Sequence, residues 1–141
     1  MNVNTKFSLG IGESATPRQP LVLVVDDNED NLSLLAFLVE QMDCTLLTAP
    51  NGQTALDLVA NHQPSLVLLD MMLPDLDGLE VLGRIRQNPV TAKIPVIAVT
   101  AMARQQDRDR ILSAGCNEYV TKPYNVDEIE ALMRRYLSQS G

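Results

Sequence analysis

The stretch Leu21-Val22-Leu23-Val24-Val25-Asp26-Asp27 decides the fold: an unbroken apolar run that ends in two carboxylates. A continuous run of this kind reads as a strand buried on both faces, as in a parallel sheet covered by helices, because a half-exposed strand would alternate apolar with polar. The arrangement returns along the chain. Asp70 follows Leu66-Val67-Leu68-Leu69, Thr100 follows Ile94-Pro95-Val96-Ile97-Ala98-Val99, and Lys122 follows Tyr119-Val120-Thr121. Parallel strands bring their carboxyl ends to one rim, and in open α/β sheets that rim is where ligands bind. Three carboxylates, a hydroxyl and an ammonium gathered there suit a hard divalent cation beside a phosphoryl group.

From residue 20 onward the pattern predicts strands over 20–25, 44–48, 65–70, 94–99 and 117–121. Between and after them it predicts helices over 29–42, 52–61, 78–87, 104–114 and 126–138. Asn28, Asn51 and Asn125 stand where helix N-caps are wanted, and Gly115 stands where a left-handed residue would end the fourth helix. The last helix carries Val126, Ile129, Leu132, Met133, Tyr136 and Leu137 on one stripe, with Asp127 and Glu128 at its start and Arg134 and Arg135 toward its end, as the helix dipole favours. The fourth helix is different. Arg104-Gln105-Gln106-Asp107-Arg108-Asp109-Arg110 leaves it few apolar residues before Ile111 and Leu112, so it is expected to be loosely anchored. Residues 1–19 are polar and without period, which predicts a flexible N-terminal tail before a domain over 20–138, with 139–141 as a short C-terminal tail. Gly10-Ile11-Gly12-Glu13-Ser14-Ala15 matches a dinucleotide fingerprint by chance, since no strand precedes it and Pro17 and Pro20 interrupt any following helix.

The 141 residues carry a net charge of −7. With a pI of about 4.5 there is no basic footprint for nucleic acid. Part of the acidic excess sits in the segments holding Asp26, Asp27, Glu29, Asp30, Asp70, Asp75 and Asp77, which suggests a cation site more than a diffuse acidic surface. Asp75 and Asp77 read as turn residues in Pro74-Asp75-Leu76-Asp77-Gly78. Cys44 and Cys116 form no CxxC pair and fall in or beside strands, so two buried thiols in a reducing compartment are expected. No segment has the roughly 18 apolar residues of a membrane span, and no apolar signal core opens the chain, so the expectation is a cytoplasmic protein without membrane partners. Lone His62 reads as a solvated residue at the end of the second helix.

Taken together, Asp26-Asp27, Asp70-Met71-Met72-Leu73-Pro74, Asp77-Gly78, Thr100-Ala101 and Lys122-Pro123 closely resemble the receiver domain of two-component response regulators, the CheY-like family. The resemblance spans about residues 20–138. It is specific, because the functional types fall in the family's order at intervals of 43, 30 and 22 residues from Asp27 to Asp70 to Thr100 to Lys122. It implies a doubly wound (βα)5 flavodoxin-like fold with a five-stranded parallel sheet in the order 2-1-3-4-5.

The resemblance also implies a chemistry that the residue types suit. Asp70 would be the catalytic nucleophile that is phosphorylated as an acyl phosphate. Asp26, Asp27, the Asp70 carboxylate and the backbone carbonyl of Met72 would hold Mg²⁺. Lys122, the Thr100 hydroxyl and the Ala101 amide would bind the phosphoryl oxygens. Thr100 and Tyr119 would form the switch, the ring turning inward as Thr100 moves and so remodelling the face made by the fourth helix, fifth strand and fifth helix. A cis bond between Lys122 and Pro123 is implied as well. Met72 and Met102, apolar at positions that orient attacking water in the family, imply slow self-dephosphorylation.

The function so implied is that of a DivK-like single-domain response regulator, a signalling module and not an enzyme in the ordinary sense. It would accept a phosphoryl group from a sensor histidine kinase or histidine phosphotransfer protein. It would then signal to a downstream protein target, or through a phosphorylation-dependent homodimer. An intermediate phosphate carrier in a multistep relay is the alternative within the family. Outside it, a haloacid-dehalogenase-type phosphohydrolase shares the Asp nucleophile and Mg²⁺ but requires a DxD pattern, and Met72 stands at its second position. A receiver that works by contact alone, without phosphorylation, is disfavoured because every site residue is intact.

Overall fold

The computed structural model describes residues 19–102 and 104–139. Apart from Gln19, the expected N-terminal tail and the Gly10–Ala15 match lie outside the described residues, as do Ser140 and Gly141. Strands β1 (Leu21–Val25), β2 (Thr45–Ala49), β3 (Leu66–Leu69), β4 (Val96–Thr100) and β5 (Glu118–Thr121) alternate with helices α1 (Glu29–Gln41), α2 (Gly52–His62), α3 (Gly78–Gln87), α4 (Gln105–Ser113) and α5 (Val126–Gln139). The strands form one sheet in the order β2-β1-β3-β4-β5, and every pairing is parallel.

The apolar runs are continuous because successive side chains feed two separate cores. On one face Leu23, Val25, Val67, Leu69, Val96 and Ala98 pack with Ala55 and Val59 of α2, Val81, Leu82 and Ile85 of α3, and Ile111 of α4. On the other, Val22, Val24, Leu66, Leu68, Ile97, Val99 and Val120 meet Leu35, Leu38 and Val39 of α1 and Ile129 and Met133 of α5. Each fully buried aliphatic side chain contributes about 1.5 to 3 kcal/mol of transfer free energy, so these two layers carry the fold.

Local chemistry sets the boundaries. Asn28, Asn51 and Asn125 accept the amides of Asn31, Thr54 and Glu128, as capping requires. Gly115 follows α4 at φ +109, where a side chain would be strained and would also press on Arg86. The fourth strand starts two residues later than its apolar run, because Pro95 has no amide for the ladder and the Ile94 carbonyl is taken by the Arg86 guanidinium. The fifth helix runs through Gln139, one residue past the expected end. Arg134 and Arg135 therefore stand before its last turn, and they pair instead with Glu130 and Glu118. Cys44 and Cys116 are buried and free, and His62 is exposed. Among the described residues no helix is long and apolar enough to cross a membrane.

Candidate phosphoacceptor site

The carboxyl-end rim is built by ladders that continue past the strand ends. The Asp26 amide donates to Ala49 O at 3.1 Å, and the Asp70 amide to Val25 O at 2.9 Å. Both side chains are thereby held at the mouth of the sheet yet nearly enclosed, with exposures of 1% and 4%, while Asp27 is exposed. One oxygen from each of Asp26, Asp27 and Asp70 lies within 4.8 Å of the others. Lys122 joins them from the far side of the sheet, its backbone amide bonded to Thr100 O at 2.9 Å. Its ammonium donates to Asp70 Oδ2 at 2.9 Å and to Asp26 Oδ2 at 3.1 Å. The peptide bond from Lys122 to Pro123 is cis.

Each carboxylate has further donors. Asp70 Oδ1 accepts the Met72 amide and Asp26 Oδ1 the Asn28 amide, both at 2.9 Å. Asp26 Oδ2 also accepts the Tyr124 hydroxyl at 3.2 Å. Burial pushes the Asp70 carboxyl above the usual carboxylate range, against the opposing pull of the Met72 amide and the Lys122 ammonium. Burial alone would lower the Lys122 ammonium, but Asp70 and Asp26 together hold it above its ordinary value. Burial and then the neighbouring Asp26 raise the Tyr124 phenol strongly.

The remaining residues surround this cluster. Thr100 is fully buried, its hydroxyl accepting the Met102 amide at 3.3 Å, and Ala101 next to it is exposed. Met72, 59% exposed, lines a cleft of about 560 Å³ with Asp27, Met71, Asp75, Asp77 and Met102. Both thioethers singled out in the sequence thus border the rim. Tyr119 pairs with Ala98 across β4 and β5, with the Arg108 guanidinium 5.9 Å from its ring centre. Its hydroxyl is the buried side-chain oxygen that lacks a hydrogen-bond partner among the described residues.

Two contributions had no signal in the sequence. Asp77 caps α3 through Leu79, as a turn residue would. Asp75 instead reaches to α2, accepting the Gly52 and Gln53 amides at 2.7 and 2.9 Å. With Thr54 served by Asn51, the first donors of α2 are satisfied and the loop after Asp70 is pinned to a neighbouring helix. Close approach enforces the same fit, since a Cβ on Gly52 would lie 2.9 Å from Leu76 and one on Gly78 would lie 2.5 Å from Met71 Cα. The other contribution is Tyr124.

The donor set fits Mg²⁺, which takes oxygen ligands and keeps several waters. The three carboxylate oxygens, all within 4.8 Å of one another, are close enough to share one small cation. An ammonium already shared between two of them shows that the cluster is built to hold positive charge.

The chain is similar to known proteins over most of its length. The family described as the response regulator receiver domain matches residues 22–134. The polar-differentiation response regulator DivK of Brucella anthropi is 39% identical over 119 residues, covering 84% of this chain and 97% of its own. The receiver domain of response regulator 1452 of Francisella superposes with a TM-score of 0.81 at 26% identity, over 87% of this chain and all of that one. The receiver domain of a sensor histidine kinase from Pseudomonas aeruginosa, solved with a magnesium ion in its active-site cleft, gives 0.79 at 28% identity over 86% and 99%. With the sheet order, the carboxylate cluster and this match over most of its length, the chain belongs to the response regulator receiver family of two-component systems.

Proposed function

We propose that this receiver takes a phosphoryl group onto Asp70 in a Mg²⁺-dependent reaction and signals through protein contacts. The observation that carries the reading is the Lys122 ammonium shared by Asp26 and Asp70 inside a three-carboxylate cluster. Asp26, Asp27, Asp70 and the Met72 carbonyl are the ligands suited to the ion. When bound, Mg²⁺ supplies charge neutralisation for the incoming phosphoryl oxygens.

The donor is a phosphohistidine on a sensor histidine kinase or a phosphotransfer protein. An Asp70 oxygen forms the new bond to phosphorus while the phosphorus–nitrogen bond breaks, and the imidazole leaves with the electron pair. The transition state spreads charge over three equatorial oxygens, so positioning and electrostatics do most of the work. Lys122 leaves its carboxylates for one oxygen, while the Thr100 hydroxyl and the Ala101 amide serve the others. The Met72 and Met102 thioethers cannot position an attacking water, so the acyl phosphate persists.

Thr100 and Tyr119 form the switch. The Tyr119 hydroxyl has no hydrogen-bond partner among the described residues in this position, which supports a ring with a second position. The face made by α4, β5 and α5 then engages a downstream protein or a second copy. With Mg²⁺ and a small phosphodonor, the protein is expected to gain one hydroxylamine-sensitive phosphoryl group, detected by mass spectrometry. Labelling that survives in Asp70→Asn, or that proceeds without Mg²⁺, would overturn the assignment.

A further inference from the structure

Asp26 is the most deeply buried carboxylate of the rim, and its two oxygens are held differently. Oδ1 accepts a backbone amide, from Asn28, which the start of α1 fixes in place. Oδ2 accepts only side-chain donors among the described residues, the Lys122 ammonium at 3.1 Å and the Tyr124 hydroxyl at 3.2 Å. Lys122 is shared with Asp70, so a phosphoryl group arriving on Asp70 draws the ammonium away. A buried carboxylate oxygen left without a donor is costly.

Tyr124 cannot leave in the same way. Its ring packs against the core between the sheet and helices α1 and α5. The next residue, Asn125, is locked as the α5 cap by Glu128 and Ile129 amides. A phenol has two torsions and a rigid ring, where Lys122 has a flexible stem. The ammonium also stands 6.0 Å from the Tyr124 ring centre, so the aromatic face lies beside its path.

Resting on the reading of this rim as a Mg²⁺-dependent phosphoacceptor, we infer that Tyr124 is a positioning residue whose hydroxyl holds and aims the Asp26 carboxylate toward the cation after Lys122 departs. Removing the hydroxyl leaves the ammonium as the remaining side-chain donor on Oδ2. The cation must then displace Lys122 from a carboxylate whose Oδ2 has no other side-chain donor among the described residues and which only the Asn28 amide on Oδ1 still orients. Partners of metal ligands typically change affinity 10- to 100-fold when removed.

The test uses the full chain, Mg²⁺ alone, and two readouts. By calorimetry, Tyr124→Phe is expected to bind Mg²⁺ on the order of 10-fold more weakly than wild type, while Tyr136→Phe, which loses a hydrogen bond to Glu118 instead, binds normally. The second readout is tyrosine emission, which is clean because the chain has three tyrosines and no tryptophan. A carboxylate hydrogen-bonded to a phenol quenches it, so Mg²⁺ drawing on Asp26 alters the emission of Tyr124. Replacing Tyr119 and Tyr136 together with Phe leaves Tyr124 as the reporter, and the Mg²⁺ response is expected to survive there and to vanish in Tyr124→Phe. Wild-type Mg²⁺ affinity in Tyr124→Phe overturns the proposal. So does a reporter variant that binds Mg²⁺ with unchanged emission, a result readable even if Tyr124→Phe fails to fold. Absence of Mg²⁺ binding in the wild type would instead remove the reading of the rim on which the inference stands.

Discussion

Helices α3 and α4 pack on the same face of the sheet, yet they are held by very different means. The first begins with a side-chain cap from Asp77 and buries Gly78, Val81, Leu82 and Ile85. The second begins at Arg104 with no side-chain cap and buries Ile111 alone. Most helix stability in proteins comes from packing an apolar face, since a ladder of this length is marginal by itself. The difference teaches where motion is easiest: with less burial and no cap, α4 is expected to open at a lower free energy than α3, and α4 is the helix that follows Thr100 on the rim.

The sharpest way to probe this contrast is Ile85→Ala. Emptying that site should reduce global stability by about 2 to 5 kcal/mol, measured by denaturant unfolding, while amide exchange through local opening of α4 stays as it was. Equal loss of protection in both helices would show that they open as one unit. Next comes activation with beryllofluoride, for which coupling of about 1 to 3 kcal/mol is expected. Amide exchange should change at Thr100, along α4 and around Tyr119, and little in α3. Changes confined to α1 and α2 would place the output face elsewhere. The smallest effect is Arg104→Ser, which supplies the missing cap. It should slow exchange in the first turn of α4 by the equivalent of about 1 kcal/mol and leave the denaturation midpoint nearly unchanged. No slowing there would mean that α4 is already fixed at its start.

Much of this molecule can be read from local pattern. The apolar runs ending in Asp26, Asp70, Thr100 and Lys122, the Asn caps and Gly115 each announce themselves within a few residues, and the structure gathers Asp26, Asp27, Asp70 and Lys122 as expected. The unread parts join distant segments. Asp75 reaches α2 across 23 residues, and Tyr124 reaches Asp26 across 98. Neither residue type nor spacing marks such contacts, because they follow from how loops from different strands meet once the sheet has formed. Pro95 shows the reverse case. A missing amide moved the start of β4 inward of its apolar run, a rule that local chemistry could have supplied.

Arg86 gives the contrast between the two helices a mechanical form. From the last turn of α3 its guanidinium donates to Gly115 O at 2.9 Å, to Ala92 O and Ile94 O, and to Asn117 Oδ1. The far end of α4 is therefore riveted to its neighbour through the residues just after it, while the near end has no fastening from a cap. A rod clamped at one end does not slide; it swings. Nine residues of helix make an arm of about 13 Å, so a tilt of roughly 10° about Gly115 carries the Gln105 turn by about 2 Å and leaves Ser113 nearly still. If the proposed phosphorylation switch acts through α4, a partner would gain most by touching its first turn at Gln105, where such a tilt would carry the surface furthest.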